Sequence, residues 1–373
     1  MVGYLVFLTI STGIFALFSL GLNLQWGFTG LINFGHVAFM TVGAYTTVVL
    51  SLYGVPLILA ALIGGALAAL LGLLIGLSTL RLREDYLAIV TIGVSELVRL
   101  IVNNQQLPTP NGLIDGVQGL QSYPLPLTNI TPTPLFKLVA IALLTTVAGL
   151  CLWRLWGWVR KGEQQRQKTR FSFITRLILG VFAALFVLTI YITGLTALND
   201  YSRYEKSGLM VVLLVVVTLV FWLLEALVRS PWGRVLKAIR EDEQVPKALG
   251  KNVFWYKLQA FMLGGAIAGI AGAFFAWQLT TVYPSNFEPI STFYAWIIVV
   301  VGGASNNVGT LIGAIVFFTY EEVTRNFLPQ IVPLDDARLG AFRIMVIGLL
   351  LMVIMIWRPQ GILGKKEELT LGK

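Results

Sequence analysis

The chain has 373 residues, 57% of them hydrophobic and 12% charged, with a mean hydropathy of +0.80. A soluble globular protein carries about 25% charged residues, so this composition excludes an ordinary soluble fold and points to an all-α, polytopic transmembrane bundle. The formal net charge of +9 does not point to nucleic acid, because Lys and Arg cluster in the short segments between apolar runs.

The single cysteine, Cys151, lies in an apolar run and leaves no internal disulfide. The single histidine, His36, excludes a His-rich metal centre. The first basic residue is Arg81, so the N-terminus lacks the basic region of a secretory signal and the first apolar run is expected to stay as a span.

A membrane-spanning helix needs roughly 20 apolar residues. The runs near this length are Tyr4–Leu22, Phe34–Leu52, Leu57–Leu80, Tyr86–Val102, Phe136–Trp156, Ile174–Leu198, Leu209–Val228, Tyr256–Thr280, Phe293–Gly303, Val308–Arg325 and Ala341–Trp357. They predict ten or eleven spans in one transmembrane domain, 1–373. The pair around Ser305–Asn307 is the ambiguous one, since Phe293–Gly303 is short enough for a half-helix or a re-entrant segment.

Counted this way, the basic clusters Arg81/Arg83, Arg154 to Arg176, Arg229 to Lys257 and Arg358 to Lys373 share one side. The bias of Lys and Arg makes that side cytoplasmic, and eleven spans put the N-terminus outside. Segments 157–173 and 229–255 are then cytoplasmic loops and 358–373 a cytoplasmic tail. Segment 103–135 is the longest external one. It holds Pro108, Pro110, Pro124, Pro126, Pro132 and Pro134 with Gly112, Gly116 and Gly119, which is turn chemistry without helical or strand periodicity. Its ordered part is open to an external partner. Lys161–Arg170 (KGEQQRQKTR) reads as a solvated helix extension or a flexible loop beside anionic lipid headgroups, with a specific binding role as the sharper alternative.

Several polar residues stand inside or beside the apolar runs. Gly30–Tyr45 (GLINFGHVAFMTVGAY) holds Asn33, Gly35, His36 and Gly43. Small residues there permit close helix packing or an unwound turn within the membrane. A lone histidine is more often a satisfied packing residue; the alternative is a polar contact in a translocation path. Glu96 and Arg99 are three residues apart, on one helical face, and can pair. Ionisable groups inside a bilayer are costly and often functional, so the choice lies between a structural or snorkelling pair and one that lines or gates a path. Gly302–Gly313 (GGASNNVGTLIG) breaks a helical run, either as a tight turn or as a pore-side discontinuity. Glu321 and Glu322 are read as capping or pairing near Arg325 at the outer end of a span, with an external protein contact as the alternative.

Ser230–Asn252 (SPWGRVLKAIREDEQVPKALGKN) is a polar island between two apolar runs. Ser230 and Pro231 form a helix-start signal, an N-cap oxygen followed by a residue whose missing N–H costs nothing in the first turn. Trp232, Val235, Leu236 and Ile239 share one helical face, while Arg234, Lys237 and Glu241 fall elsewhere. Asp242 is placed to cap a second short helix and Gly250 to end it. A simple connection needs far fewer residues, so the segment reads as a docking element for a cytoplasmic partner that drives the membrane part. The chain has no GxxxxGK[ST] phosphate cradle; Gly361–Lys366 (GILGKK) has neither the spacing nor the context. It also lacks HExxH, CxxC and GxSxG motifs. No enzyme is nominated, and any ATP must be bound by another subunit.

In these features the chain resembles the permease subunits of ABC importers for branched-chain and other hydrophobic amino acids, specifically the M-type member of the permease pair. The resemblance covers most of the chain. Its marks are Gly30–Tyr45, Leu80–Asn104 with Glu96-Leu97-Val98-Arg99, the Asn111–Leu120 turn, Gly233–Asn252 and Gly302–Gly313. It implies that Gly233, Arg234, Ala238, Ile239, Arg240, Glu241, Asp242, Ala248, Leu249 and Gly250 form the segment that rests in a groove of a cytoplasmic ATPase. Asn33, Gly35, His36, Glu96, Arg99, Gly302 and Gly303 are the candidates for the translocation path. The implied partners are a second homologous permease, two ABC ATPases that bind ATP and Mg, an extracytoplasmic substrate-binding protein and membrane lipids, in a bacterial inner membrane. No cofactor, metal or nucleic acid is implied for this chain. It departs from the family pattern at Pro246, in the long segment around Lys161–Arg170, and at the polar Asn306 and Asn307. A urea or short-amide importer is the nearest alternative. An ion-coupled transporter acting alone, with Glu96 as its proton site, and a non-transporting scaffold are the others; the first leaves Ser230–Asn252 without a purpose, and the second makes charge reversal at Arg240 and Glu241 harmless to uptake.

Overall fold

A computed structural model describes residues 2–81, 84–110, 112–127, 132–164, 170–201, 203–331, 335–357 and 361–363. Arg83, residues 165–169 of the basic internal segment and the 358–373 tail apart from 361–363 lie outside the described residues.

The described chain is helical almost throughout. Its helices are α1 (Val2–Leu22), α2 (Val37–Leu52), α3 (Leu57–Thr79), α4 (Glu84–Asn104), α5 (Pro134–Gln164), α6 (Arg170–Asn199) and α7 (Ser207–Arg229), then α8 (Pro231–Glu241), α9 (Gln244–Ala248), α10 (Val253–Leu279), α11 (Ile290–Gly302), α12 (Asn307–Ile331) and α13 (Asp336–Trp357). Every apolar run read from the sequence becomes one helix, and the polar island supplies α8 and α9. The result is an all-α polytopic bundle, with one short hairpin, β1 (Gln106–Thr109) and β2 (Gly112–Asp115).

The sequence predicts ten or eleven spans. Among the described residues six helices are long and apolar enough to cross a membrane, or seven if the pair 284–302 and 307–330, bent by 117°, counts as one. α2 falls short at 16 residues, because the chain before it is unwound. Phe293–Gly303 belongs to a helix of 13 residues, α11, which turns into α12 as one bent pair rather than standing as a separate span. α12 itself continues to Ile331, so Glu321 and Glu322 lie within the helix body and not at its end. There Asn326 Nδ2 donates to Glu322 Oε1 at 3.2 Å.

The chain divides into two compact units, Met1–Ser11 with Pro126–Leu219, and Thr12–Leu125 with Val220–Lys373. In the first, Ala140, Leu144, Leu198, Tyr201 and Val211 form a small core, backed by Phe136, Ile141, Tyr191 and Leu214. The opposite surface of α5 exposes Leu135, Leu138, Val139, Trp153 and Trp156. Such a surface suits lipid, where an exposed apolar side chain costs nothing and only backbone polar groups demand partners. α5 also carries helix through Gln164, the helix-extension reading of the segment that starts at Lys161.

The second unit is built on α10 packed against α2 and α3. Their contact is made by small residues. A Cβ on Gly43 would lie 2.1 Å from the Gly269 carbonyl oxygen, so the backbones meet as closely as glycine allows. Without water to drive apolar burial, such contacts supply the packing that holds membrane helices together. Segment 103–135, expected to be irregular, instead forms the hairpin, with Pro108 opposite Leu113. A two-stranded ribbon is all edge, and an edge tolerates proline. Leu120 and Val282 exchange backbone hydrogen bonds of 3.0 Å, and the Tyr123 hydroxyl donates to the Ala276 carbonyl. Burial holds the Tyr123 phenol above its ordinary pKa, so it remains a donor. The hairpin is thus clamped to the far end of the unit. At the other, basic end Arg81 lies over the Phe254 ring at 5.5 Å and Lys237 over the Phe28 ring at 5.7 Å.

Candidate functional site

The polar island folds as two short helices at the basic end. Ser230 has extended backbone and Pro231 takes the first helical position. The Ser230 hydroxyl, however, donates back to the Leu227 carbonyl at 2.6 Å and does not cap α8. The turn from α7 into α8 is so tight that a Cβ on Gly233 would lie 2.2 Å from the Val228 carbonyl oxygen. Leu236 and Ile239 are buried, and Trp232 Nε1 donates to Gln259 Oε1 at 2.8 Å. Asp242 Oδ1 accepts the Gln244 N–H at 2.8 Å and so starts α9. α9 is five residues long and contains Pro246. Gly250, at φ +73°, ends the element, as its position in the sequence predicted. Glu243 ties the pair to α10 by pairing with Lys257, and it also faces Lys247 at 3.5 Å.

The predicted coupling residues divide between two faces. Arg234, Glu241, Asp242, Ala248, Leu249 and Gly250 are exposed. Gly233 and Ile239 are buried, while Ala238 and Arg240 are half-buried. On the outer face Leu249 is 73% exposed and Val245 52%, two apolar side chains among charges.

Arg240 points the other way, toward two breaks in the helical framework. The first is at the end of α1, which passes into a π-turn at Asn23–Gly27 and leaves the chain non-helical until α2. This stretch is held by side chains. Buried Gln25 donates to the Phe261 carbonyl at 2.8 Å and accepts from Asn33 Nδ2 at 2.8 Å. Asn33 Oδ1 accepts the Gly35 N–H at 2.9 Å, and its carbonyl accepts from Trp296 Nε1 at 3.1 Å. Thr91 and Thr292 hydroxyls accept the Phe34 and Val37 N–H groups at 3.2 and 3.0 Å. Backbone freed from helix inside an apolar body must find such partners. His36 is fully buried, with Nε2 3.1 Å from the Phe18 carbonyl oxygen and Nδ1 without a hydrogen-bond partner.

The second break lies between α11 and α12. Gly303, at φ +110°, and Ser305, at φ +64°, turn the chain, and Gly302 is buried against Gly309. The Ser305 N–H donates to Asn23 Oδ1 at 3.1 Å, and its hydroxyl donates to the Gly27 carbonyl. Asn306 Oδ1 accepts the Gly309 N–H at 3.0 Å. Ile362 and Leu363 N–H groups donate to the Val301 and Gly302 carbonyls at 2.9 and 3.1 Å.

The structure therefore gathers Asn33, Gly35 and His36 around the first break and Gly302 and Gly303 at the second, all buried in protein. Glu96 and Arg99 are held apart from these as a two-pronged pair on α4, with Arg99 Nε 2.9 Å from Glu96 Oε2 and Nη2 2.5 Å from Oε1. The side chains are 37% and 22% exposed respectively. Asn23, Gln25 and Glu225 escaped the sequence reading. The signal for them was the presence of a polar residue at the edge of, or inside, an apolar run, where an unpartnered group is costly.

The sequence model of a family described as "Branched-chain amino acid transport system / permease component" matches residues 4–355. The chain is 30% identical over 358 residues to the high-affinity branched-chain amino acid transport system permease protein LivM of Escherichia coli (strain K12), covering 94% of this chain and 68% of that protein. It is 23% identical over 377 residues to a probable branched-chain amino acid transport permease protein LivM of Methanocaldococcus jannaschii, covering 96% and 92%. A probable LivH permease of the same archaeon is 27% identical over 199 residues, 51% of this chain and 61% of that protein. No solved structure matches the chain. With its helical bundle, its paired short helices and a match that runs nearly end to end, the chain belongs to the permease-component family of branched-chain amino acid transport systems.

Proposed function

We propose that the chain is the membrane permease subunit of an ATP-binding-cassette importer for branched-chain or other neutral, hydrophobic amino acids, working in a bacterial inner membrane. The observation that carries this reading is the pair of exposed apolar residues Val245 and Leu249 on α8–α9, in a chain of this family. An apolar patch ringed by charge on a membrane protein's polar end is suited to a soluble protein partner.

In this reading two ATPase subunits hold ATP and Mg, and one docks on Arg234, Glu241, Asp242, Ala248, Leu249 and Gly250. Nucleotide-driven closure of the ATPases displaces α8 and α9, which Glu243 ties to α10. A second, homologous permease completes the pathway, in keeping with the likeness to both LivM and LivH proteins. An extracytoplasmic binding protein delivers substrate to the hairpin end. Asn33, Gly35, His36, Gly302 and Gly303 shape the two unwound stretches from which the path is built, the arrangement in which transporters place substrate among interrupted helices. Glu96 and Arg99 stand further along α4 toward the hairpin. A neutral substrate needs few charges in its path, which accords with the absence of fully buried charged residues among the described ones.

The test is uptake of labelled leucine and of labelled urea by cells with and without the gene, together with the proteins that co-purify in mild detergent. Loss of leucine uptake and recovery of an ATPase support the reading. Loss of urea uptake alone moves the substrate to short amides. Transport by the purified chain alone in vesicles under an ion gradient overturns it. Leu249→Asp is expected to lower uptake by about tenfold or more, a hot-spot loss at a docking surface, while leaving the protein inserted.

A further inference from the structure

Arg240 sits on the docking helix, yet it faces inward. Its guanidinium Nη1 donates to the Ser305 hydroxyl oxygen. Its stem packs on the π-turn side of the molecule, where a Cβ on Gly30 would lie 3.5 Å from Arg240 Cγ. Ser305 in turn uses both its donors: the hydroxyl donates to the Gly27 carbonyl and the N–H to Asn23 Oδ1. Asn23 Nδ2 donates to Asn307 Oδ1 at 3.1 Å, and Asn307 Nδ2 to Glu225 Oε2 at 3.3 Å. Glu225 Oε1 closes the series on Arg229 Nη2 at 2.5 Å. One unbroken chain of hydrogen bonds thus runs from α8 through both helix breaks to the end of α7.

Two further features place a cation here. α1 with its π-turn and α11 both end at this point, at Gly27 and Gly302, and helix C-termini carry partial negative charge that favours a guanidinium. A charge-assisted hydrogen bond in a water-poor setting is also stronger than a neutral one. Arg234 and Glu241, its neighbours on α8, are exposed.

We propose that Arg240 is a positioning residue that carries displacement of α8 into the two helix breaks through Ser305, and is not a contact for the ATPase. The proposal rests on α8–α9 being the docking surface. Coupling of this kind passes through packed, hydrogen-bonded elements with alternative arrangements, and here both ends of the link are interruptions of helix.

The experiment uses the whole importer, with its ATPases and binding protein, in proteoliposomes. Arg240→Ala, Arg240→Lys, Ser305→Ala and the Ala/Ala double variant are compared for ATPase co-purification, basal ATP hydrolysis and leucine taken up per ATP hydrolysed. Arg240→Ala and Ser305→Ala are expected to keep the ATPases and basal hydrolysis while uptake per ATP falls about tenfold. The double variant falls no further than Arg240→Ala, because both remove the same link, and Arg240→Lys, which keeps a donor, recovers part of the loss. Ser305→Ala removes only a hydroxyl and keeps the test valid if Arg240→Ala is poorly folded. The proposal is overturned if Arg240→Ala sheds the ATPases while Ser305→Ala behaves as wild type, if uptake per ATP is unchanged in Ser305→Ala, or if the two losses multiply. A wild-type chain that purifies with no ATPase at all defeats the docking reading itself, a result distinct from each of these.

Discussion

The Glu96–Arg99 pair on α4 and the Arg240-to-Glu225 chain at the basic end both place charge in apolar surroundings, but they are assembled in opposite ways. Glu96 and Arg99 satisfy each other within one turn of one helix. The other cluster draws on α7, α8, the π-turn after α1 and the α11–α12 break, with partners as far as 284 residues apart in the sequence. A pair of the first kind stabilises its own helix and can be moved as a unit. A network of the second kind fixes how separate elements meet, and removing one member strands the others.

The largest effect is expected where that difference is attacked directly. Asn23→Leu removes the acceptor of the Ser305 N–H and the partner of Asn307 in one step. Each buried polar group left unpartnered costs about 1–3 kcal/mol, so the thermal midpoint of the purified protein should fall by several degrees and uptake with it. An unchanged midpoint would mean that the network contributes nothing to stability. Next is exchange of the helix pair on α7. Glu225→Arg with Arg229→Glu preserves an ion pair but presents a cation to Asn307 Nδ2, so uptake stays well below wild type; full recovery would reduce Glu225 to a local partner of Arg229. The smallest effect belongs to α4. Arg99→Glu, which sets two carboxylates one turn apart, should lower the midpoint modestly, since a partly exposed pair is worth only about 1 kcal/mol or less. Adding Glu96→Arg should restore most of it. If the exchanged pair is stable yet uptake remains lost, Glu96 and Arg99 act on the transported solute and are not merely structural.

The same contrast explains what could be read in the sequence. Glu96 and Arg99 announce their pairing by spacing, and the apolar runs announce their helices by composition. Pro231 and Gly250 mark the limits of the docking segment because helix ends are set by local backbone chemistry. The Ser230 cap was misread, since its hydroxyl has the Leu227 carbonyl within reach and a serine can donate as readily as accept. The hairpin escaped for a related reason: Asn-Gly at 111–112 is a turn signal, but Pro108 and Pro110 beside it hid the strands. Asn23, Gln25 and Glu225 show in the sequence only as polar residues at or inside apolar runs; that they meet Asn307, the Phe261 carbonyl and Asn307 across the unit is set by tertiary contacts. Arg240 was legible as part of the docking helix; the direction it faces was set by tertiary contacts alone.

The backbone bonds from Ile362 and Leu363 to Val301 and Gly302 have a consequence for biogenesis. The bend that follows α11 is splinted by residues made some sixty positions later, so during synthesis it emerges with its carbonyl groups unmatched. A chain that stops short of Gly361 keeps the Ser305 contacts to Asn23 and Gly27 but leaves the Val301 and Gly302 carbonyls without these donors.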